Sequence, residues 1–139
     1  MYINPPLLKQ GDTIGIISPA TKPGDEEKFQ KGITYLEKKG FNVVVAEHVL
    51  DEYGYLAGTD EARANDLNIM FRNPEIDAII CSRGGYGTPR LLHLIDYEAI
   101  KANPKDYTGK KNDIEPALIR LKHNIGINRA QGIKNLYKL

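Results

Sequence analysis

IDAIICSRGGYG, residues 76–87, runs an apolar strand straight into a glycine-rich turn. The run is apolar on both faces, the habit of a strand buried in a parallel sheet. Ser82-Arg83-Gly84-Gly85-Tyr86-Gly87 then breaks it, and Pro89 stands where a helix would open. Strand, glycine turn and helix in that order are a unit of an α/β fold.

The same pattern repeats upstream. Residues 13–17, TIGII, form an apolar β-branched run closed by Ser18-Pro19. From 25 to 39 the chain takes helical spacing, with Phe29, Ile33 and Leu36 on one stripe and Gly40 as the stop. Residues 41–46, FNVVVA, read as a second strand, and 48–58, rich in Tyr and Gly, as a loop. Thr59 or Asp60 caps a helix reaching about Phe71, whose apolar positions include Ala62, Leu67, Met70 and Phe71. Ala62 and Arg63 stand where a capping box would need Glu or Gln. Asn73-Pro74 ends that helix.

Downstream, a short helix is predicted from 89 to 94 and a helical turn from 96 to 102. Residues 103–105 make a turn, and 106–108 begin a fourth strand. The alternation predicts an α/β fold: a doubly wound, mostly parallel sheet in the three-layer, flavodoxin-like arrangement. Sites in such sheets form beyond the carboxyl ends of the strands. Two loops qualify: Ser18-Pro19-Ala20 and Ser82 to Gly87.

With 139 residues, the chain suits one domain and a real core. A hydrophobic fraction of 41% with 27% charged residues excludes a disordered or fibrous chain. No apolar run approaches the roughly 18 residues of a membrane span. MYINPPLLKQGD lacks a basic start and an apolar stretch, so no secretory signal is expected. One cysteine, Cys81, excludes an internal disulfide and a cysteine-cluster metal site and makes a reducing cytoplasm the default. A net charge of +1 excludes strong bulk attraction to nucleic acid.

That average conceals an asymmetry. Residues 110–139 hold seven basic residues against two acidic ones, a net +5 that leaves −4 for the rest. The composition changes near Gly109. This basic tail has one aromatic residue, Tyr137, and no nucleic-acid reading motif, so nucleic acid is not an expected partner.

Three glycines in four positions let the SRGGYG backbone approach a ligand closely. Successive N–H groups there can hold an anion or a developing oxyanion, with Arg83 as a charged clamp. A tight strand-to-helix turn needs the same glycines for geometry alone, and spacing does not decide between the two. Neither GxGxxG nor the phosphate-loop pattern is present. Ser18 and Ser82 each follow a strand, but a nucleophilic serine needs a base. The histidines are His48, His93 and His123, and nothing in the spacing pairs His93 with Ser82. Capping at strand ends fits both serines better, and a surface or core-edge role fits the histidines. Cys81 is expected buried and inert. No spacing supports a metal, and no cofactor is expected.

Five stretches together resemble the LD-carboxypeptidase family. They are PPLLKQGDTIGIISPA at 5–20, FQKGITYLEKKGF at 29–41, YLAGTDEARANDL at 55–67, SRGGYGTPRLL at 82–92 and IDYEAIKANPK at 95–105. The resemblance covers residues 5–109. It implies a serine peptidase that cleaves the amide between an L- and a D-residue, trimming murein tetrapeptides in cell-wall recycling without metal. It implies oxyanion or substrate contacts from Arg83, Gly84, Gly85 and Tyr86, and from Asp113, which follows the slot of the family serine. It also implies a nucleophilic serine in a GYSDIT-like elbow after the NPK turn, and a glutamate and a histidine from a second, C-terminal domain.

Here NPK is followed by DYTGKKNDIEPAL. Aligning Asp113-Ile114 with the Asp-Ile of the elbow puts Asn112 in the serine slot, with one residue too many before it. No serine follows Ser82. The expectation is a family N-terminal domain over 1–109, truncated, and a divergent basic tail over 110–139. A reading-frame change or gene truncation would account for that tail. Such a chain is inactive alone: it would bind a small murein-type peptide, serve as a peptide-carboxylate module, or act as a basic-tailed interaction protein. It would also self-associate through an open sheet edge. Residues 114–122, IEPALIRLK, are predicted helical, with Ala117, Leu118 and Leu121 facing the gap.

Overall fold

The computed structural model describes residues 6, 8–83 and 85–108. Four strands make one parallel sheet: β1 (Thr13–Ile17), β2 (Asn42–Val45), β3 (Ala78–Cys81) and β4 (Asp106–Thr108), in the order β2-β1-β3-β4. In the register, Ile14 lies beside Val43 on one side and Ala78 on the other. Ala78 in turn pairs with Asp106. Three helices connect the strands: α1 (Glu26–Lys38), α2 (Asp60–Arg72) and α3 (Tyr97–Ala102).

The helices begin where the sequence places their caps. Asp25 accepts the Lys28 amide at 3.0 Å, with Glu26 and Glu27 favourably placed in the first turn of α1. Thr59 does the same for α2 through the Ala62 amide at 3.1 Å. Gly40 follows α1 at φ 94°, a left-handed conformation that closes the helix and aims the chain into β2.

Alternation along the strands divides the core between two faces. Ile14 and Ala78 meet Leu8 and Phe41, with Leu36 of α1 packed against them. Ile17, Ile79, Cys81 and Tyr107 meet Ala64, Leu67, Met70 and Phe71 of α2, together with Leu91, Ile95 and Ile100. The sheet is therefore sandwiched between α1 on one face and α2 and α3 on the other, which is the three-layer, doubly wound arrangement. The chain leaves β1 toward β2 and later returns to β3 on its other side. The gap between the carboxyl ends of β1 and β3 is thus the topological switch point.

One element differs from the sequence reading. Instead of a helix over 89–94, residues Thr88–Leu91 form a single 3₁₀ turn, continued by a turn in which Leu94 N–H donates to Leu91 O at 2.8 Å. An α-helical nucleus is costly to form, and a segment this short closes readily as a 3₁₀ turn instead. Gly84, Asn112, Asp113, the 114–122 segment and the rest of 110–139 lie outside the described residues.

Candidate functional site

The carboxyl ends of β1 and β3 place Ser18 and Ser82 side by side. Their hydroxyl oxygens are 2.5 Å apart, and Ser82 N–H donates to Ile17 O at 2.8 Å. Ser18 is buried and Ser82 half-buried. Capping of strand ends was the sequence reading for both; instead each hydroxyl finds the other. Among the described residues no histidine is hydrogen-bonded to either, so none of them supplies the base that a nucleophilic serine needs.

Arg63 holds the surrounding loops. It lies on α2 and is 1% exposed. Its Nη1 donates to Pro19 O at 2.6 Å and to Gly87 O at 3.0 Å, and its Nε to Gly58 O at 3.2 Å. Nη2 is paired with Asp60, which Arg90 also engages at 3.0 Å. One guanidinium thus fastens the post-β1 loop, the 46–58 connection and the glycine loop to one helix. The planar fork supplies donors in fixed directions, which suits a group that must satisfy several carbonyls. Burial pulls the Arg63 pKa down, against the pull of Asp60, yet from so high a starting value that the charge persists. The Asp60 carboxyl is held below its usual range, first by the Arg90 hydrogen bond.

The glycine loop fits tightly into this arrangement. A Cβ on Gly87 would lie 2.5 Å from Leu56 Cδ2 and 3.2 Å from Ala20 Cα, and one on Gly85 would lie 3.1 Å from Ala20 Cβ. Gly87 itself has ordinary right-handed dihedrals, so close approach and not backbone strain demands glycine there. Tyr86 projects from the loop at 93% exposure. Arg83 is exposed, and its Nη1 reaches toward Gly24, 3.2 Å from where a Cβ there would sit. Among the expected contacts, Arg83, Gly85 and Tyr86 therefore share one loop at the switch point; Gly84 and Asp113 lie outside the described residues. Cys81 is buried, below the loop. Among the described residues no three His, Cys, Asp or Glu side chains gather to hold a metal ion.

Two features escaped the sequence reading. Arg63 sits at the helical phase of Leu67, Met70 and Phe71, so its spacing already placed it on the buried stripe. His48 pairs with Asp66, Nδ1 to Oδ1 at 2.7 Å, and its backbone N–H donates to Oδ2 at 3.1 Å. That hydrogen bond, before any other influence, raises the His48 pKa. Eighteen residues and a loop separate the two, and no local pattern announces the contact.

A parallel α/β unit with a glycine loop clamped at its switch point defines a class of ligand-binding scaffold. The family model for the LD-carboxypeptidase N-terminal domain matches residues 14–128, and the chain belongs to that family. It is 40% identical over 105 residues to the probable murein peptide carboxypeptidase of Bacillus subtilis, covering 76% of this chain and 33% of that protein. Among solved structures, it is similar to the microcin C7 self-immunity protein MccF in complex with aspartyl sulfamoyl adenosine. There the TM-score is 0.81 at 32% identity, over 88% of this chain and 37% of that one. The MccF-like protein of Bacillus anthracis aligns with a TM-score of 0.84 at 29% identity, over 90% of this chain and 38% of that one. The chain spans about a third of the length of the curated relatives it matches. The family match runs past Gly109 to residue 128. No helix among the described residues is long and apolar enough to cross a membrane.

Proposed function

We propose that this unit forms the amide-lined half of a site for a small murein-type L,D-peptide and does not hydrolyse the peptide by itself. The observation that carries the reading is the Arg63 clamp, which fixes Pro19 and Gly87 on either side of the switch point. Backbone amides held that rigidly are suited to a peptide carboxylate or a developing oxyanion. Arg83, Gly84, Gly85 and Tyr86 are the residues assigned to that contact, with Asp113 beyond them.

Hydrolysis needs a hydroxyl and a base. The slot for the first is Asn112, whose amide cannot attack a carbonyl, and Ser18 and Ser82 are engaged with each other. Loss of the nucleophile alone from a serine peptidase removes several orders of magnitude of rate. The boundary at Gly109 rests on the change in charge, and the family match to residue 128 weighs against an abrupt one. A single buried cysteine fits a reducing compartment such as the cytoplasm.

Titration calorimetry with an L,D-tetrapeptide, alongside an assay for released D-alanine, tests the reading. Saturable binding without enzyme-dependent release supports it; turnover at an enzymatic rate, or no binding at millimolar peptide, overturns it. Translating the other two frames of the encoding DNA tests the frame-change account of the tail. That account fails if neither frame yields a GYSDIT-like elbow.

A further inference from the structure

The 46–58 connection crosses from the end of β2 to the start of α2 and forms one wall of the site. Its far end is well fastened. Tyr53 and Leu56 exchange backbone hydrogen bonds at 2.8 and 3.0 Å, closing a tight turn around Gly54 at φ 61°. Leu56 is buried beside Gly87. Ala57 N–H donates to Ala20 O at 2.8 Å, and Gly58 O accepts from Arg63. Its near end is held by the Ala46 N–H on Ile16 O at 2.9 Å, by the buried Val49, and by His48, the one side chain there that is hydrogen-bonded to α2, whose ring and backbone N–H both meet Asp66. Asp66 lies three residues after Arg63 on α2, one turn along the same face. One helix thus holds the wall at both ends, by an arginine at one and a carboxylate at the other.

The Asp66 side chain is 5% exposed and the His48 side chain 22%. A carboxylate so enclosed is costly unless a cation or several donors meet it. Here the described partners are the two N–H groups of one residue. The charged groups near the imidazole are Asp66 from α2 and Glu47 and Asp51 from the loop itself, all acidic. Every one of them favours the imidazolium.

We infer that His48 is a positioning residue: its imidazolium, clamped on Asp66, holds the 46–58 wall closed over the site, so that closure of the wall and protonation of the ring are linked. The linkage has a definite sign. Closure places the ring against a carboxylate, so the closed form binds the proton more tightly than the open one. The added stability of closure is complete below the ordinary histidine range, near pH 6.5, and is lost as pH rises through the higher value of the closed form. Each unit by which closure raises that value corresponds to about a tenfold change in the closed-to-open ratio. The neutral ring can still donate from Nδ1, so the wall loosens with rising pH without detaching.

Amide hydrogen exchange on the full chain tests this and needs no ligand, so it stands even if the chain binds no peptide. Protection factors for Leu56 and Ala57, corrected for intrinsic exchange, are followed from pH 5.5 to 8.5. His48 is titrated by NMR in parallel and assigned by its absence in His48→Asn. The expected result is a His48 midpoint above the ordinary histidine value, and an Ala57 protection that falls with that same midpoint while Ile79 in β3 stays flat. His48→Asn keeps a neutral donor near the Nδ1 position and is expected to remove the pH dependence at Ala57; Asp66→Asn is expected to do the same from the other side. A flat Ala57 profile across the His48 titration overturns the inference. So does an Ile79 profile that moves equally, because the effect is then global.

Discussion

Ser18 and Ser82, 64 residues apart and the only two serines in the chain, spend their hydroxyls on each other across the ends of β1 and β3. The pair ties together the two strands that define the switch point.

Substitution of one serine strands the other. Ser82→Ala leaves the buried Ser18 hydroxyl without its partner and is expected to cost about 1–2 kcal/mol in urea unfolding. The double variant Ser18→Ala/Ser82→Ala removes donor and acceptor together, so its loss should be smaller than the sum of the single losses. Strict additivity in the cycle would mean that the hydroxyls do not depend on each other.

Gly87→Ala forces a methyl group to within 2.5 Å of Leu56 and 3.2 Å of the Ala20 backbone. Leu56 can shift but the Ala20 backbone cannot do so cheaply, so a loss of about 1–3 kcal/mol is expected, measured as a fall in the urea midpoint. Leu56→Ala in the same chain should relieve only the first clash and recover part of the loss beyond its own cavity cost. Unchanged stability of Gly87→Ala would show that the loops at the switch point yield more readily than the packing implies.

β2 is an outer strand, and Val44 and Val45 are 42% and 41% exposed there. An edge strand of the described sheet that carries exposed apolar side chains invites pairing with a second copy. Sedimentation at increasing concentration is expected to show association, and Val45→Lys should reduce it. A monodisperse monomer at high concentration would remove this edge as a contact surface.

The fold was legible because each level of the sequence pointed the same way. TIGII and IDAIIC are apolar on both faces, Asp25 and Thr59 sit where caps belong, and Gly40 stops α1 where the periodicity ends. The glycine loop was legible as a place but not as a mechanism, since a turn and an anion nest call for the same residues. Arg63 shares the helical phase of the apolar stripe on α2, and periodicity alone does not say that a polar residue at that phase is buried. The His48–Asp66 and Ser18–Ser82 contacts are tertiary: their partners meet only after β1, β2, β3 and α2 have assembled, and no periodicity encodes that meeting. The 3₁₀ turn at Thr88–Leu91 differs from the expected 89–94 helix because Pro89 signals a helical start without saying how far the helix can run.

Arg63 offers the sharpest separation between charge and geometry. Arg63→Met fills much of the same volume but leaves the carbonyls of Pro19, Gly58 and Gly87 without their donor and Asp60 without its buried partner. A loss of about 3–5 kcal/mol is expected, enough to unfold a marginal domain. Arg63→Lys keeps the charge but offers one compact head where three directions are needed, so it should recover less than half of that loss. Arg90 acts on Asp60 from the exposed side and separates the effects by pH. Because Asp60 titrates below its unfolded value, its ion pairing stabilises the fold above about pH 4 and that contribution fades as acid protonates the carboxyl. Wild type and Arg90→Ala should therefore differ in urea midpoint at pH 7 and converge below the depressed Asp60 value. A difference that persists at pH 2, or a lysine at position 63 that restores full stability, would show that the clamp works through bulk or net charge and not through the placement of its donors.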